Sequence, residues 1–237
     1  MVCHSLAVHD GGMSTRKHNR ILTAMLESRQ TVEQLMAGAQ GSFEIQRFFV
    51  GRSPIAVLAP HAGTIEPLTG ELAMAIAGRL HRFYGFSGKM LRDSALGHVS
   101  SLRFDEPQLH DVLRGARSAI AIHGTAGDED AVTLIGGCNL RLIETIRVRL
   151  ESAGFAVMGW PTAADANDPR NVVNRVPEGG VHLELTQRQR DDLRGGWFRK
   201  LRFEAYANAI RVALAEELDR PGPQWDQIRM QSASPAL

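Results

Sequence analysis

The sequence is poor in several features that would assign a protein class directly. It has only two cysteines in 237 residues, which excludes a disulfide-rich scaffold. It contains no run of 18 apolar residues, so no transmembrane helix is predicted. The formal net charge is +1 at pH 7, which predicts neither nucleic acid nor a membrane as a general partner. The amino terminus lacks the basic and apolar regions of a signal peptide, which predicts a cytoplasmic protein that cell lysis would release.

The remaining composition is that of an ordinary globular domain. Hydrophobic residues make up 43% and charged residues 22% of the chain, enough apolar material for one large core. We expect a single α/β domain over residues 19–222. Residues 1–18 are expected to form a disordered tail, and the Pro/Ser-rich residues 223–237 a loose one.

Hydrophobic periodicity predicts alternating strands and helices along this domain. The predicted strands cover residues 43–50, 55–59, 82–86, 99–103, 118–122, 132–135, 155–158 and 181–186. The predicted helices cover residues 19–38, 66–80, 105–115, 139–152 and 201–218. This alternation predicts a three-layer α/β fold, in which a mostly parallel mixed sheet carries helices on both faces.

Two histidines occupy equivalent positions at the ends of predicted buried strands. His61 follows the apolar run 55–59 and His123 follows the run 118–122, so both are expected at the carboxyl edge of the sheet, where such folds bind ligands. Glu66 lies five residues after His61, across a loop-to-helix junction. Two His and one Glu are ligands that catalytic zinc uses, with one coordination position left for water. The spacing also fits histidines that only make structural hydrogen bonds.

The last predicted strand carries a carboxylate among apolar residues. Strand alternation places His182, Glu184 and Thr186 on one face. A buried carboxylate is costly unless it is paired or functional, which makes Glu184 a candidate general base. The strand also fits a half-exposed position with a solvated polar face.

Several segments, in this order, together resemble the poly-γ-glutamate hydrolase family, some of whose members are described as phage-related replication proteins. The resemblance covers roughly residues 31–194. The segments that carry it are Leu58-Ala59-Pro60-His61-Ala62-Gly63-Thr64-Ile65-Glu66-Pro67, Phe104-Asp105-Glu106-Pro107, Ile120-Ala121-Ile122-His123-Gly124, Ile135-Gly136-Gly137, Asn171-Val172-Val173-Asn174-Arg175 and Gly180-Val181-His182-Leu183-Glu184-Leu185.

The resemblance implies a fold similar to zinc carboxypeptidases, one Zn²⁺ per chain and hydrolysis of γ-glutamyl amide bonds. By matching motifs, it implies that His61, Glu66 and His123 are the metal ligands and that Glu184 is the catalytic base.

The resemblance also implies a set of substrate-binding residues. Asn174 and Arg175 are similar to the Asn-Arg pair with which zinc carboxypeptidases hold a substrate carboxylate, a task that suits the planar guanidinium fork. His98 matches a family histidine and is expected to line the cleft, or else to make a structural hydrogen bond. His182 stands where the family has Gln. A role as a fourth metal ligand is disfavoured, because three ligands and water complete a catalytic site; His182 is expected to hydrogen-bond a ligand or the base and to fill the space of the Gln.

Other departures from the family pattern concern the turn after His61 and one position at residue 87. Ala62 and Thr64 replace two glycines of a Pro-His-Gly-Gly-Gly motif, and Ser87 replaces an acidic residue. These changes leave the presumed ligands intact, so they bear on substrate preference more than on chemistry.

The substrate and the partner stay open at this level. A glutamate polymer is the first candidate, and an N-acylated amino acid or peptide cleaved by a related deacylase is the second. Nucleic-acid binding by a replication accessory is a third, although no nucleic-acid-binding motif is present. The basic residues of segment 188–202 fit a solvated helix face, a rim that attracts a polyanion, or a nucleic-acid contact, and Asp191 and Asp192 dilute their charge. The protein is expected to be a monomer and not to bind membranes.

Overall fold

The structure is a computed structural model that describes residues 31–38, 41–49, 53–89, 97–127, 129–160 and 166–220, and both predicted tails lie outside these residues. The helices are α1 Val32–Gly38, α2 Thr69–Ala77, α3 Pro107–Leu113, α4 Leu140–Ser152, α5 Gln187–Asp192 and α6 Trp197–Leu218. The strands are β1 Phe43–Phe49, β2 Ile55–Gly63, β3 Arg82–Gly88, β4 Ser118–Gly124, β5 Val132–Gly137, β6 Ala156–Gly159 and β7 Gly180–Leu185. A short 3-10 helix, Val172–Asn174, precedes β7.

The strands form one seven-stranded mixed sheet in the order β1-β3-β2-β4-β7-β5-β6. The central strands β3, β2, β4 and β7 are mutually parallel. Strand β1 is antiparallel to β3, and the parallel pair β5 and β6 runs antiparallel to β7. Four of the six strand pairings are therefore parallel, which confirms the predicted mostly parallel α/β sheet.

Alternate residues of the central strands feed two separate cores, one on each face of the sheet. Val57, Ile120 and Leu183 belong to the core that packs against α2, α4 and α6. Leu58 and Ala121 belong to the opposite core, which packs against α1 and α3. Helices therefore cover both faces, and the predicted three layers are present.

The segment 99–103 was expected to be a strand, and this prediction was wrong. Residues 97–106 instead cross the carboxyl edge of the sheet without strand structure. Backbone carbonyls there are bound by side chains and not by a neighbouring strand: Val99 O by His61 Nε2, and Leu102 O and Phe104 O by the guanidinium of Arg175. Side-chain donors thus replace the partners that a ladder would supply.

Two helices near the carboxyl end of the domain also differ from expectation. Helix α5, which follows β7, was not predicted, and α6 begins at Trp197, four residues before the predicted start at residue 201. In the part of the chain that the structure describes, no helix combines the length and the apolar character needed to cross a membrane.

Strand β2 contains a β-bulge immediately before its functional end. Between Ala59 and Ala62 it has one residue more than β3 has between Gly85 and Ser87. Regular alternation would direct His61 to the face of Ala59, but the extra residue places Ala62 there instead, in the core of α2. His61 consequently points to the other face, where its ring lies 6.0 Å from that of Phe104. Such bulges are frequent beside functional sites, where they redirect a side chain.

Candidate metal centre

Six ionisable side chains converge at the carboxyl edge of the parallel strands, on the face reached by the bulge. All are buried except His98, which is partly exposed. They form two adjoining groups of metal-ligating type, each with ligand atoms within 4.8 Å of one another. The first group contains His61, Glu66 and His98, and the second His123, His182 and Glu184.

His61, Glu66 and His123 are in direct contact across the junction of the two groups. His61 Nδ1 lies 3.0 Å from Glu66 Oε1 and 3.2 Å from His123 Nδ1. His123 Nδ1 lies 3.6 Å from Glu66 Oε2. The strands β2 and β4, which are adjacent and parallel, bring the two histidines together, as their matching positions predicted.

The tautomer of His61 shows what these contacts require. Its Nε2 lies 2.8 Å from the carbonyl of Val99, which can only accept a hydrogen bond, so Nε2 carries the proton. In a neutral His61, Nδ1 is then a bare lone pair facing a carboxylate and a second imidazole. A bound metal cation would satisfy this lone pair and the carboxylate together; without one, a proton on His61 Nδ1 or on His123 Nδ1 has to lie between these groups.

The ionisation of the three groups reflects the same proximity. Burial lowers the pKa of His61, but the Glu66 carboxylate outweighs burial and raises that pKa above its ordinary value. Burial raises the pKa of Glu66, but His61 and His123 outweigh it and hold the pKa well below its usual range. Burial and the neighbouring His182 lower the pKa of His123 to about 4. Glu66 is therefore ionised and His123 neutral near pH 7, the states in which they bind metals.

The Glu66 loop is held in place by backbone groups. The Glu66 N–H donates to His61 O at 2.8 Å, which closes the turn between the two ligands. Glu66 Oε2 accepts from the Gly124 N–H at 2.8 Å, which ties the loop to the end of β4. Gly63 has φ +71°, and a Cβ there would lie 2.4 Å from Gly88 O, so only glycine fits.

The family departures in this turn are accommodated locally. Ala62 is buried, and its methyl group fills the space that a Cβ on Gly70 would need. Thr64 is exposed, and its backbone N–H bonds to Gly88 O at 3.0 Å. Neither side chain displaces His61 or Glu66 from the cluster.

Glu184 and His182 form a hydrogen-bonded pair on β7, on the same face as predicted. His182 Nε2 lies 3.1 Å from Glu184 Oε1. Asn171 fixes the direction of this bond: its Oδ1 accepts from the Val173 N–H, so its Nδ2 donates to His182 Nδ1 at 3.4 Å. His182 therefore carries its proton on Nε2 and donates it to Glu184. Glu184 Oε2 is buried and has no hydrogen-bond partner, so one basic oxygen stays free.

The stacking of His182 on His123 separates their roles. The two rings are parallel within 3°, with centroids 4.2 Å apart. Imidazole lone pairs lie in the ring plane, so two stacked parallel rings cannot direct them at one ion. In this arrangement His123 and His182 do not share a metal, and Trp160 closes the outer side of His182 with its ring at 86°.

Asn174 and Arg175 are placed differently from the cluster. The Asn174 amide makes four hydrogen bonds to backbone groups: it accepts from Cys138 N and Gly180 N and donates to Ala166 O and Asp168 O. The Arg175 guanidinium donates to the carbonyls of Arg170, Phe104 and Leu102. In the structure both side chains support loops around the site, and their role in substrate binding stays a prediction.

Arg190 is a residue of the site that its sequence context did not reveal. It was grouped with the exposed basic residues of segment 188–202, but it is only 5% exposed. It donates to Thr125 O at 3.1 Å and Pro67 O at 3.4 Å, which links the end of β4 to the Glu66 loop. Burial lowers its pKa, while the charges of Glu66 and Glu184 act in the opposite direction. A Cβ on Gly124 would lie 2.6 Å from its Cζ, so the glycine after His123 makes room for it.

The fold and the site together define a class: an α/β protein with a candidate metal centre of His and Glu side chains at the carboxyl ends of its parallel strands. Sequence comparison then names the family. A family model described as poly-γ-glutamate hydrolase matches residues 30–209. The chain belongs to the poly-γ-glutamate hydrolase family.

Individual relatives agree with this assignment. A bacteriophage poly-γ-glutamate hydrolase of known structure is 31% identical, with a TM-score of 0.72, over 79% of this chain and 96% of that one. The zinc-free apo structure of YndL also has a TM-score of 0.72, at 24% identity, over 79% of this chain and 97% of that one, and supports the fold. The prophage-derived protein YoqZ of Bacillus subtilis (strain 168) is 31% identical over 142 residues, which are 59% of this chain and 51% of YoqZ. The match thus spans about half the length of that relative.

Proposed function

We propose that this protein is a zinc-dependent hydrolase that cleaves γ-glutamyl amide bonds in poly-γ-glutamate. His61, Glu66 and His123 would hold one zinc per chain, and Glu184 would be the general base. The observation that carries the proposal is the convergence of His61 Nδ1, His123 Nδ1 and the Glu66 carboxylate, beside a buried carboxylate oxygen of Glu184 without a partner.

The donor set fits zinc in type and spacing. Two ligand atoms about 2.0–2.1 Å from one tetrahedral zinc lie about 3.3 Å apart. The ligand atoms of His61, Glu66 and His123 are separated by 3.0, 3.2 and 3.6 Å. Bound zinc supplies a Lewis acid that polarises an amide carbonyl and makes water more acidic. His98 Nδ1, which lies 3.5 Å from Glu66 Oε1, is the alternative third ligand that the geometry leaves open.

The proton transfers fall to Glu184. Its Oε2, free of hydrogen bonds, would accept the proton of the attacking water and pass it to the leaving amine. Its Oε1 is held by the Nε2–H of His182, which keeps the carboxylate in one orientation. Burial of both side chains excludes bulk water, so this orientation is maintained through the reaction.

The substrate assignment rests on the family and on the bacteriophage relative, whose name states its activity on poly-γ-glutamate. His98 lies at the cleft, partly exposed, and would contact substrate if His123 is the third ligand. Asn174, Arg175 and His182 would act on the substrate through the loops and the base that they hold. A deacylase that acts on N-acylated amino acids stays the second candidate, because the same centre would cleave either amide.

One experiment separates these candidates. The purified protein is assayed for zinc and incubated with poly-γ-glutamate, with α-linked polyglutamate and with N-acetylglutamate. We expect about one zinc per chain. We also expect that only the γ-linked polymer is shortened, as measured by size-exclusion chromatography. Release of acetate without polymer shortening would favour the deacylase, and a metal-free protein that binds DNA would favour the replication accessory. The predicted monomeric state and cytoplasmic location are separate from this test and stay predictions.

A further inference from the structure

The start of helix α6 exposes aromatic side chains to an unusual degree. Trp197 is 71% exposed, Phe198 81% and Leu201 52%. A contiguous group of exposed apolar side chains often marks a binding surface, whereas a single exposed one does not. Residues 194–199 line a shallow, open pocket with a volume of about 420 Å³. We refer to the exposed segment Arg194–Arg202 as the α6 patch.

The α6 patch is strongly basic. Its nine residues include four cations and no acid: Arg194, Arg199, Lys200 and Arg202. None of the four forms an ion pair with a carboxylate among the described residues. The two acids that precede the patch are engaged elsewhere, since Asp192 pairs with Arg188 at 3.4 Å and Asp191 accepts from Gln187 at 2.9 Å.

The α6 patch continues from the candidate metal centre. Arg190, on α5, donates to Pro67 O in the Glu66 loop and to Thr125 O after the end of β4, beside the candidate metal centre. Four residues, Leu193, Arg194, Gly195 and Gly196, separate α5 from the exposed aromatic residues. The α6 patch therefore begins two residues after the helix that contacts the centre.

A γ-linked glutamate polymer has the chemistry to fit this surface. Each unit places two methylene groups in the main chain and one free α-carboxylate beside it. The methylenes can lie on the indole and phenyl rings, while the carboxylates pair with Arg and Lys. An α-linked polyglutamate carries its methylenes on side chains and offers no such apolar main chain.

We propose that the α6 patch is an exosite that binds a stretch of poly-γ-glutamate outside the cleft. The exosite rests on the proposed function for the identity of its ligand. It would retain a long polymer near the centre between cleavage events, and it would contribute nothing to the cleavage of a γ-glutamyl dipeptide.

The test compares Trp197→Ala/Phe198→Ala and Lys200→Glu with a matched control, Arg79→Ala/Leu80→Ala. Leu80 is 53% exposed and follows α2 at the opposite edge of the sheet. Binding of fluorescent poly-γ-glutamate is measured by anisotropy in a Glu184→Gln background, so that the polymer stays intact. We expect each patch variant to weaken binding at least about fivefold, as loss of a central aromatic contact does, and the control to have no effect.

Activity measurements on the same substitutions, in the chain with Glu184 present, give the second arm. The patch variants are expected to raise KM for the long polymer with kcat unchanged, and to leave both constants unchanged for a γ-glutamyl dipeptide. Raised salt should remove most of the difference between Lys200→Glu and the control, and less of the difference caused by Trp197→Ala/Phe198→Ala, because salt screens charges and not apolar contacts.

Several outcomes would overturn the exosite. The exosite is refuted when both patch variants bind the polymer as tightly as the control does. If the unmodified protein still cleaves the polymer in that case, the proposed function remains intact. Binding to phosphatidylglycerol vesicles that these variants abolish, with polymer binding intact, would make the patch a membrane surface. A dimer that the patch variants dissociate, again with polymer binding intact, would make the patch a subunit interface.

A different outcome would separate the exosite from the proposed function. Polymer binding that depends on the patch, in a protein that does not cleave γ-glutamyl bonds, would support the exosite and refute the proposed function.

Discussion

His123 and Glu184 are register partners on the adjacent parallel strands β4 and β7. Their side chains leave the same face of the sheet at the same level, which places a proposed zinc ligand directly beside the proposed base. The backbone ladder therefore fixes the separation between the two roles, and no mobile loop has to bring them together.

The third zinc ligand is tested by paired substitutions. His123→Ala should lose most of the bound zinc, because it removes one of three ligands, whereas His98→Ala should keep it. Zinc per chain is measured by atomic emission after dialysis. The reverse result, with zinc lost only in His98→Ala, would assign the site to the group of His61, Glu66 and His98.

Zinc at 1,000 times its Kd should raise the free energy of unfolding of the unmodified protein by about 4 kcal/mol.

Glu184→Gln tests the general base. The amide keeps the size of the carboxylate and can still accept from His182, but it cannot take a proton at neutral pH. We expect at least about a 10²-fold loss of kcat with zinc content unchanged. A variant that lost zinc but turned over normally once zinc was restored would make Glu184 a structural residue.

His182→Gln restores the residue that the family pattern carries. Gln can donate to Glu184 Oε1 as His182 does, so zinc content should be retained and kcat should stay near normal. His182→Leu removes the donor, and it should lower kcat and displace the pH optimum while zinc stays bound. Loss of metal in His182→Gln would show that His182 is itself a ligand.

Arg175→Lys separates support of the fold from substrate binding. Lysine keeps the charge but cannot donate to the carbonyls of Leu102, Phe104 and Arg170 at once. The contacts predict a loss of about 1–3 kcal/mol in the free energy of unfolding, measured in urea. An unchanged stability with a raised KM for poly-γ-glutamate only would instead support the carboxylate-binding role that the family resemblance implies.

The acid stability of the fold should depend on His81, which is buried and bonded to Ser53 Oγ at 2.8 Å. Burial lowers the pKa of His81 to about 4, whereas an unfolded histidine has a pKa near 6.5. The unfolded state therefore binds the proton more readily, and stability falls as the pH drops from about 6.5 towards 4. Between pH 7 and pH 5 this group should cost about 2 kcal/mol.

The control for this effect is His81→Gln, which keeps a hydrogen bond to Ser53 but does not titrate. Urea unfolding at the two pH values should show a smaller loss for the variant than for the unmodified protein. Equal losses in both proteins would assign the acid sensitivity to other groups.

The sequence predicted the position of the site better than its detailed geometry. His61 and His123 could be placed at one sheet edge because each follows a continuous apolar run, and the parallel pairing of β2 and β4 confirms this placement. The face shared by His182 and Glu184 followed from strand alternation, which holds through β7.

Other features depend on contacts between distant segments and have no local signal. The burial of Arg190 could not be predicted from the basic residues around it in the sequence, since it depends on contacts with Gly124 and Pro67 from other parts of the chain. The segment 99–103 has strand-like composition, but His61 and Arg175 take up carbonyls that a strand would pair. Long-range side-chain partners decided both cases.

The bulge in β2 makes the centre sensitive to the pairing register of that strand. If residues 59–62 followed the ordinary pleat without the bulge, alternation would turn the imidazole of His61 to the face of Ala59, into the packing beneath α2. Every proposed ligand would still be present in such a protein, yet two of them would lie on opposite sides of the sheet. Transplanting residues 59–62 with the same spacing onto a regular strand would fail for the same reason. What has to be inherited or copied here is the irregular backbone pairing of these residues, in addition to their identities.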